Sequence, residues 1–222
     1  MRKTFPNVPI IPAMGNHDFH PVNYYNTGHR SQSALTAIAE IWSQFIGDDQ
    51  EALESFKVHG YYRYDLPVSV SRGNAQKVSI IVMNSQSCYN MNFGLMNETN
   101  DAASQLEWFR EQLRLAEAEN RLVFVAAHIA PGCNTCVAKW GQRYTILFER
   151  YQHIIRLAVF GHDHRELYEI VRSTSTDRPI GVHHVAGSLG TYFYVNPSIR
   201  LYKMHAKHHV PLDTQILEFN ID

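Results

Sequence analysis

Long hydrophobic runs are missing from this sequence of 222 residues. None of its apolar stretches reaches the ~20 residues that a membrane-spanning helix needs, so no transmembrane segment is predicted. Residues 1–6 also lack the apolar segment of a secretory signal. Read literally, the chain would remain in the cytosol, although this inference has little weight if a preceding segment is missing.

An excess of charge of either sign is lacking as well. Lys and Arg number 20 against 21 Asp and Glu, the formal net charge is −1, and the basic residues are scattered. This distribution argues against a protein that binds nucleic-acid polymers. The sequence shows no repeat, low-complexity tract or linker. With 45% hydrophobic residues, the chain can bury a sizeable core, and we predict a single domain over residues 1–222.

Cysteine is scarce, because only Cys88, Cys133 and Cys136 are present. The spacing of Cys133 and Cys136 is that of half a zinc knuckle or of a redox pair. However, there is no second cysteine pair, and no strand-to-helix redox context is visible. Both of these interpretations are therefore disfavoured.

Three apolar runs are each followed by residues that can bind a metal. The runs at residues 8–14, 122–127 and 157–160 lead to Asn16, to His128, and to the pair His162 and His164. If the runs are buried strands of an α/β sheet, these side chains lie at the carboxyl edge, where ligands gather. Imidazole nitrogens and an amide oxygen suit a borderline cation such as zinc. We expect Asn16, His128 and His162 to bind one cation and His164 to reach towards a second. The alternative is that His162 and His164 are surface histidines in a turn.

Apolar spacing predicts three amphipathic helices. The first begins near Ser31 or Ser33 and ends at Gly47, and the second begins at Asn100 or Asp101. The third has apolar positions at Tyr144, Leu147, Phe148, Tyr151, Ile154 and Ile155. Strands are predicted at residues 61–64, 68–70 and 80–83.

The part of the chain after His164 predicts successive strands instead. Apolar runs at residues 167–171, 181–185, 201–204 and 215–221 are separated by turn residues. We expect these strands to form a second sheet. The remaining histidines, among them the pairs at 183–184 and 208–209, are expected to have structural or surface roles, because neighbours on a strand point to opposite faces.

Gly15-Asn16-His17-Asp18, the lone His128 and Gly161-His162-Asp163-His164 resemble, in order and type, the last three signature blocks of the calcineurin-like metallophosphoesterases. Other stretches look like the branch that contains the acid sphingomyelinases and sphingomyelinase-like phosphodiesterases. They are residues 97–99, 105–108, 127–132, 160–162 and 196–202, together with Trp140, Arg150 and Tyr151. The resemblance covers nearly the whole chain. It implies an α/β fold, namely a four-layer α/β/β/α sandwich with mixed sheets.

One departure from the family pattern concerns the first two signature blocks. Members begin with an Asp-x-His block and a later Gly-Asp block, which supply ligands of the first metal and the carboxylate that bridges both metals. Here the chain starts a few residues before the third block. The resemblance therefore implies the C-terminal portion of a catalytic domain, lacking its N-terminal strands. Asp18-Phe19-His20 and Gly47-Asp48 spell both blocks, but in the wrong place, and we interpret them as chance matches.

The resemblance also implies a reaction, the metal-dependent hydrolysis of a phosphodiester. The substrate would be sphingomyelin, cleaved to phosphocholine and ceramide, or a nucleotide or another small phosphodiester. The full family site holds two Zn²⁺ ions, and one or none is expected in this chain. His17 would protonate the departing oxygen, and Asp18 would orient or tune its ring.

The choice of substrate has consequences for the partner that is expected. No saposin-like segment that could present a lipid is found in these residues, which slightly favours small soluble diesters. For a lipid substrate, peripheral contact with a membrane surface is expected. A lysosomal or secreted location is implied by the same branch.

An oxidising location agrees with two further implications of the resemblance. A disulfide between Cys88 and Cys136 is implied, which leaves Cys133 over, and the pairing of Cys88 with Cys133 stays open as an alternative. Asn97-Glu98-Thr99 is an N-glycosylation acceptor pattern, although so short a pattern often occurs by chance.

A second functional hypothesis follows from the missing blocks. Without them, only His164 remains as a ligand of one of the two metals. The chain would then be a catalytically impaired fragment or a non-catalytic metal-binding module.

Overall fold

A six-stranded mixed sheet with the strand order β1-β2-β3-β4-β6-β5 forms the centre of the protein. The computed structural model describes residues 3–4, 6, 8–67, 77–96, 98 and 101–221. The six strands are β1 (Tyr62–Asp65), β2 (Val78–Val82), β3 (Leu122–Ala126), β4 (Ile155–Phe160), β5 (Leu167–Arg172) and β6 (Pro179–Val185). The inner strands β2, β3, β4 and β6 run parallel, and both edge strands run antiparallel to their neighbours. The mixed α/β class predicted from the sequence is confirmed.

Helices cover both faces of this sheet. The described part of the chain contains four α-helices, namely α1 (His29–Ile46), α2 (Gln50–His59), α3 (Gln105–Ala118) and α4 (Ala138–Tyr151). Helices α1 and α2 share one core cluster with β1 and β2, while α3 and α4 share another with β3, β4 and the strands beyond. No helix in the described residues is long and apolar enough to cross a membrane.

The predicted helices are present, with differences at their ends. Helix α1 begins at His29, and the Ser31 hydroxyl accepts a hydrogen bond from the Asn26 backbone N–H at 3.0 Å instead of capping the helix. The end at Gly47 is confirmed. The predicted start of the next helix at Asp101 is four residues too early, because α3 begins at Gln105. The Asp101 carboxylate nevertheless accepts hydrogen bonds from the backbone N–H groups of Leu106 and Glu107 in the first turn of this helix. Asn100 lies outside the described residues.

Two further differences concern helix length. Ile154 and Ile155 were predicted to be helical, but α4 ends at Tyr151 and Ile155 begins β4. Their β-branched side chains favour an extended backbone, and only Arg156 separates them from the apolar run of β4. Helix α2 was not predicted, although Asp49 caps it through the Ala52 N–H and Gly60 ends it in the left-handed conformation at φ 76°.

The apolar run at residues 8–14 is not a strand, contrary to the prediction. The chain there has no regular secondary structure. Pro9 and Pro12 lack the backbone N–H that a ladder needs, so the run cannot pair as a central strand. Its last residue, Met14, is nevertheless fully buried in the cluster with α1 and α2. The strand predicted at residues 68–70 lies outside the described residues.

In the described residues, the second sheet consists of the two strands β7 (Ser198–Met204) and β8 (Pro211–Glu218). The strands predicted at residues 167–171 and 181–185 belong to the main sheet, because β6 pairs with β4 through Val159 and His184. The hairpin packs on the main-sheet face opposite α4. The Tyr202 ring contacts His184, whereas the adjacent His183 contacts Tyr144 and Phe148 of α4.

A disulfide joins Cys88 to Cys136, and Cys133 is free. The pairing implied by the resemblance is confirmed, and the alternative with Cys133 is wrong. The bond links the loop after β2 to the segment before α4 across a sequence separation of 48 residues. It therefore fixes two loops on the carboxyl side of the sheet.

Replacing both bridged residues, Cys88→Ser with Cys136→Ser, is expected to lower the free energy of unfolding by about 2–4 kcal/mol, because the unfolded chain loses a constraint on a long loop. Urea unfolding under non-reducing conditions measures this change. Cys133→Ser is the matched control, and its unfolding midpoint should stay close to that of the parent. Equal losses in both variants would contradict the assigned bond.

Candidate metal centre

The carboxyl ends of β3 and β4 bring two of the predicted ligands together. His128 follows β3, and the Gly161 N–H donates a hydrogen bond to the His128 carbonyl at 2.9 Å. The next backbone N–H, that of Ile129, donates to the Ser85 hydroxyl at 2.8 Å, just after β2. Three neighbouring parallel strands therefore end at one edge, which fixes the backbone that carries His128 and His162.

Three atoms that can donate a lone pair converge at this edge. His128 Nε2 lies 2.8 Å from Asn16 Oδ1 and 3.2 Å from His162 Nδ1. The rings of His128 and His162 are nearly perpendicular, with centroids 5.0 Å apart. We name this set, Asn16, His128 and His162, the ligand trio.

Asn16 is held in position by its own neighbours. It is buried, and its Nδ2 donates to Asn23 Oδ1 at 2.8 Å, which turns Oδ1 towards His128. The absence of a side chain at Gly15 permits this approach, because a Cβ there would lie 3.3 Å from the His128 ring. The residue reaches the site although the run before it is not a strand.

The backbone at both histidines after β4 is unusual. His162 has φ 75° and His164 has φ 57°, a left-handed region that non-glycine residues seldom adopt. Such conformations cost energy and concentrate at functional sites. In this tight turn, His162 contacts His128, and His164 lies against Tyr192 and Phe193 with ring centroids about 6 Å apart.

Burial keeps the imidazoles of the trio neutral. It lowers the pKa of His128 to about 4, with smaller contributions from His162, His164 and His17. Burial also lowers the pKa of His162, and Asp163 opposes this effect. At neutral pH, both rings therefore have a free lone pair, which is the form that binds metals.

The donor set fits a single cation. Two imidazole nitrogens and one amide oxygen suit zinc, and catalytic zinc sites have three protein ligands and one open position. His164 Nδ1 is buried without a hydrogen-bond partner in the described residues, so this nitrogen too can serve as a metal ligand. However, the described residues contain no group of three or more His, Cys, Asp or Glu that could hold a metal.

His17 lies at the same site, and Asp18 has a different contact. His17 is exposed and lines one cavity of about 570 Å³ together with the trio and His164. The Asp18 carboxylate accepts a hydrogen bond from the Gly15 N–H at 2.7 Å, which closes the turn that carries Asn16. The role of Asp18 in orienting the His17 ring stays a prediction.

Sequence reasoning missed most of the cavity wall. Its other lining residues are Tyr89, Met91, Thr135, Asp163, Arg165, Leu167, Tyr192 and Phe193. The Tyr89 ring packs edge-on against His162 at 5.2 Å. Only the position of Tyr89 next to Cys88 could have suggested that it lies near the site.

Structural roles are found for the two sequences that match the first two signature blocks by letter, Asp18-Phe19-His20 and Gly47-Asp48. In the second, Asp48 accepts a hydrogen bond from the Tyr64 hydroxyl at 2.8 Å. In the first, Phe19 is buried in the core with α1 and α2. Neither Asp48 nor His20 lines the cavity that contains the trio, in agreement with their interpretation as chance matches.

Comparisons with known proteins identify relatives of this chain. Sphingomyelin phosphodiesterase from Homo sapiens is 30% identical over 231 residues, covering 100% of this chain and 35% of the relative. The Bos taurus protein of the same name is 31% identical with the same coverage. Cyclic GMP-AMP phosphodiesterase SMPDL3A from Bos taurus is 25% identical and covers 96% of this chain and 48% of the relative. The chain thus spans about a third to a half of the length of these relatives.

A solved structure of a protein described as a 5′-nucleotidase from Staphylococcus aureus is 13% identical. It covers 72% of this chain and 31% of its own, with a TM-score of 0.39, which is too low to support an argument. The profile of the calcineurin-like phosphoesterases matches residues 1–166. This match includes every predicted site residue, and the chain therefore belongs to the calcineurin-like phosphoesterase family.

Proposed function

We propose that this chain is the C-terminal portion of a metal-dependent phosphodiester hydrolase of the sphingomyelinase type. The observation that supports this proposal best is the convergence of the ligand trio, with His128 Nε2 at 2.8 Å from Asn16 Oδ1 and 3.2 Å from His162 Nδ1. Three neutral donors held by three different segments of the chain are characteristic of a metal centre with an open position.

Each residue of the site has a separate task in this proposal. The trio binds one cation, and its nitrogen and oxygen donors suit Zn²⁺. His164 is a ligand for a second cation. The chemistry that a bound divalent cation supplies is polarisation of the phosphoryl oxygens and activation of water as a nucleophile. His17, exposed beside the trio, donates a proton to the departing oxygen. Asp18 holds the turn through Gly15 and so positions His17.

The cavity around these residues accepts the phosphodiester. Arg165 lines it next to His164 and offers a positive charge and several N–H donors to the phosphate. The named activities of the relatives, on sphingomyelin and on cyclic GMP-AMP, indicate two substrate classes, a lipid and a nucleotide diester. A lysosomal or secreted location and a glycan on Asn97 belong to the same proposal, and Asn97 and Thr99 lie outside the described residues.

A second candidate function is a metal-binding module without catalytic activity. The observation that favours it is the lack, in the described residues, of three His, Cys, Asp or Glu side chains grouped around a metal position. Metal binding and turnover distinguish the two candidates, because the module binds a cation and does not turn over.

Metal binding by the trio is the first test. After dialysis against a chelator, the parent protein is expected to bind about one equivalent of Zn²⁺, as the three donors predict. Since changing the outer partners of metal ligands costs 10–100-fold in affinity, His128→Ala should weaken Zn²⁺ binding by at least about 100-fold. Equilibrium dialysis with elemental analysis measures both values.

His153→Ala is the matched control for this test. His153 is half exposed and contacts Glu117 away from the cavity, so its loss should leave Zn²⁺ affinity unchanged. A parent protein that binds no metal would remove the hydrolase proposal for this chain. Equal weakening in both variants would show that the trio is not the binding site.

The proton donor is the second test. In the metal-loaded protein, His17→Gln is expected to lower kcat on a diester with an alkoxide leaving group by about 10²–10⁴-fold, the usual contribution of a general acid. On a p-nitrophenyl diester the loss should be smaller, because p-nitrophenolate leaves without protonation. Elemental analysis should find the bound metal unchanged.

His29→Gln replaces another exposed histidine at the start of α1 and serves as the control, for which no rate change is expected. An equal loss on both leaving groups in His17→Gln would contradict the acid role and indicate a contribution to phosphate binding instead.

A further inference from the structure

Glu166 joins three segments of the chain behind the turn of residues 161–166 that follows β4. Its Oε1 accepts hydrogen bonds from the Gly187 N–H at 2.9 Å and from the Ser198 hydroxyl at 3.2 Å. Its Oε2 forms an ion pair with Nη2 of Arg200 in β7. The end of the turn is therefore tied both to the loop after β6 and to the first strand of the second sheet.

Arg200 is buried between the two sheets. Its side chain is 1% exposed, and Nη2 also donates to the Val185 carbonyl at 3.0 Å. The guanidinium carbon lies 4.7 Å from the centroid of the Tyr168 ring. A buried guanidinium needs a carboxylate, because a charge left unpaired inside a protein is strongly destabilising. Glu166, whose side chain is 19% exposed, supplies this carboxylate.

The turn needs an anchor of this kind because its backbone is not relaxed. His162 and His164 have φ values of 75° and 57°. Residues other than glycine persist in this region only where the surrounding structure imposes it. The hydrogen bond from the Gly161 N–H to the His128 carbonyl fixes the start of the turn. Glu166 fixes its end.

Packing alone does not hold the His164 side chain. His164 and Arg165 line the cavity that contains the trio, and both also line a neighbouring cavity of about 690 Å³. The His164 ring lies against Tyr192 and Phe193, which are themselves 69% and 59% exposed. Because open space borders His164 on two sides, its place depends on the backbone that carries it.

We propose that the ion pair between Glu166 and Arg200 positions His164. The pair fastens the end of the turn to β7 and thereby holds the His164 ring in the wall of the cavity beside the trio. Glu166 and Arg200 do not line that cavity themselves, so they act through His164. The inference rests on the proposed function, in which His164 is a ligand for a second cation.

Histidine resonances of the full chain test the inference without metal or substrate. In protein labelled with carbon-13 at Cε1 of histidine, the His164 signal is assigned by its loss in His164→Gln. The parent should show cross-peaks from this signal to the ring protons of Tyr192 and Phe193, whose ring centroids lie about 6 Å from that of His164. In Arg200→Met these cross-peaks should be lost, and the signal should move towards the position of an exposed histidine.

Arg121→Met is the matched control. Arg121 is also buried, with its side chain 9% exposed, and it pairs with Asp65 at 3.1 Å and donates to the Val78 carbonyl at 3.1 Å. It precedes β3, at the end of the strand opposite to the trio. Its loss should lower the midpoint of urea unfolding, as in Arg200→Met, while the His164 cross-peaks remain. Loss of the cross-peaks in both variants, or in neither, would overturn the inference.

A second variant stays informative if Arg200→Met folds poorly. Glu166→Gln combined with Arg200→Met leaves no unpaired charge, and replacing both members of a buried pair is often neutral for stability. The glutamine carbonyl can still accept the hydrogen bond from Gly187. The His164 cross-peaks should be lost in this variant too. A double variant with the unfolding midpoint of the parent and intact cross-peaks would show that the pair does not position His164.

Metal binding and turnover separate this inference from the function on which it rests. Zn²⁺ binding by the trio should be unchanged in Arg200→Met, because the pair acts on His164. In the metal-loaded protein, kcat on a diester should fall by about 10–100-fold, the usual cost of removing a group that orients a metal ligand. Loss of Zn²⁺ binding by the trio in this variant would overturn an effect directed at His164. Loss of the cross-peaks in a protein whose parent form binds no Zn²⁺ would remove the proposed hydrolase and leave the positioning of His164 standing.

Discussion

The parallel pairing of β2, β3 and β4 is the constraint on which the site depends. It brings the ends of three strands to one edge, where the Gly161 N–H donates to the His128 carbonyl and the Ile129 N–H donates to the Ser85 hydroxyl. A shift of one residue in the register of β4 would turn its side chains to the opposite faces of the sheet and move the turn that carries His162. Burial of the strands on both faces, by α3 and α4 on one side, makes such a shift costly because it would expose the core.

Much of the fold follows from local pattern. The buried runs of β3 and β4, the helical spacing of α1 and α3, and the cap at Asp101 are all visible in the sequence, because each depends on neighbours within a few residues. The errors come from competition between local and distant effects. Two prolines prevent a strand before Gly15, and β5 and β6 join the main sheet because β6 finds β4 as a partner. Partner choice between strands is a long-range property that the spacing of apolar residues does not contain.

In the site, too, the sequence motifs are predictable, whereas the contacts between distant residues are not. The order and type of the motifs predict Asn16, His128, His162 and His164 as ligands, and these four side chains line one cavity. The contacts that orient them were not predictable, among them the bond from Asn16 to Asn23 and the packing of Tyr89 against His162. Asp18 was selected by its position beside His17, yet its carboxylate bonds to the Gly15 backbone, a contact that only the turn geometry reveals. The exposure of Phe93 could not be predicted either, because it depends on the buried hydrogen bonds of its neighbour Asn92.

The disulfide between Cys88 and Cys136 has a consequence for the site as well as for stability. Cys88 immediately precedes Tyr89, whose ring forms a wall for His162, and Asn90 pairs with the Thr135 carbonyl on the other side of the bond. The cross-link thus ties the loop that carries Tyr89 and Asn90 to the chain segment before α4. If the bond is reduced, the loop with Tyr89 loses this restraint, whereas the ends of β3 and β4 keep their own hydrogen bonds. The bond therefore restrains the ring that packs against His162 in addition to stabilising the fold.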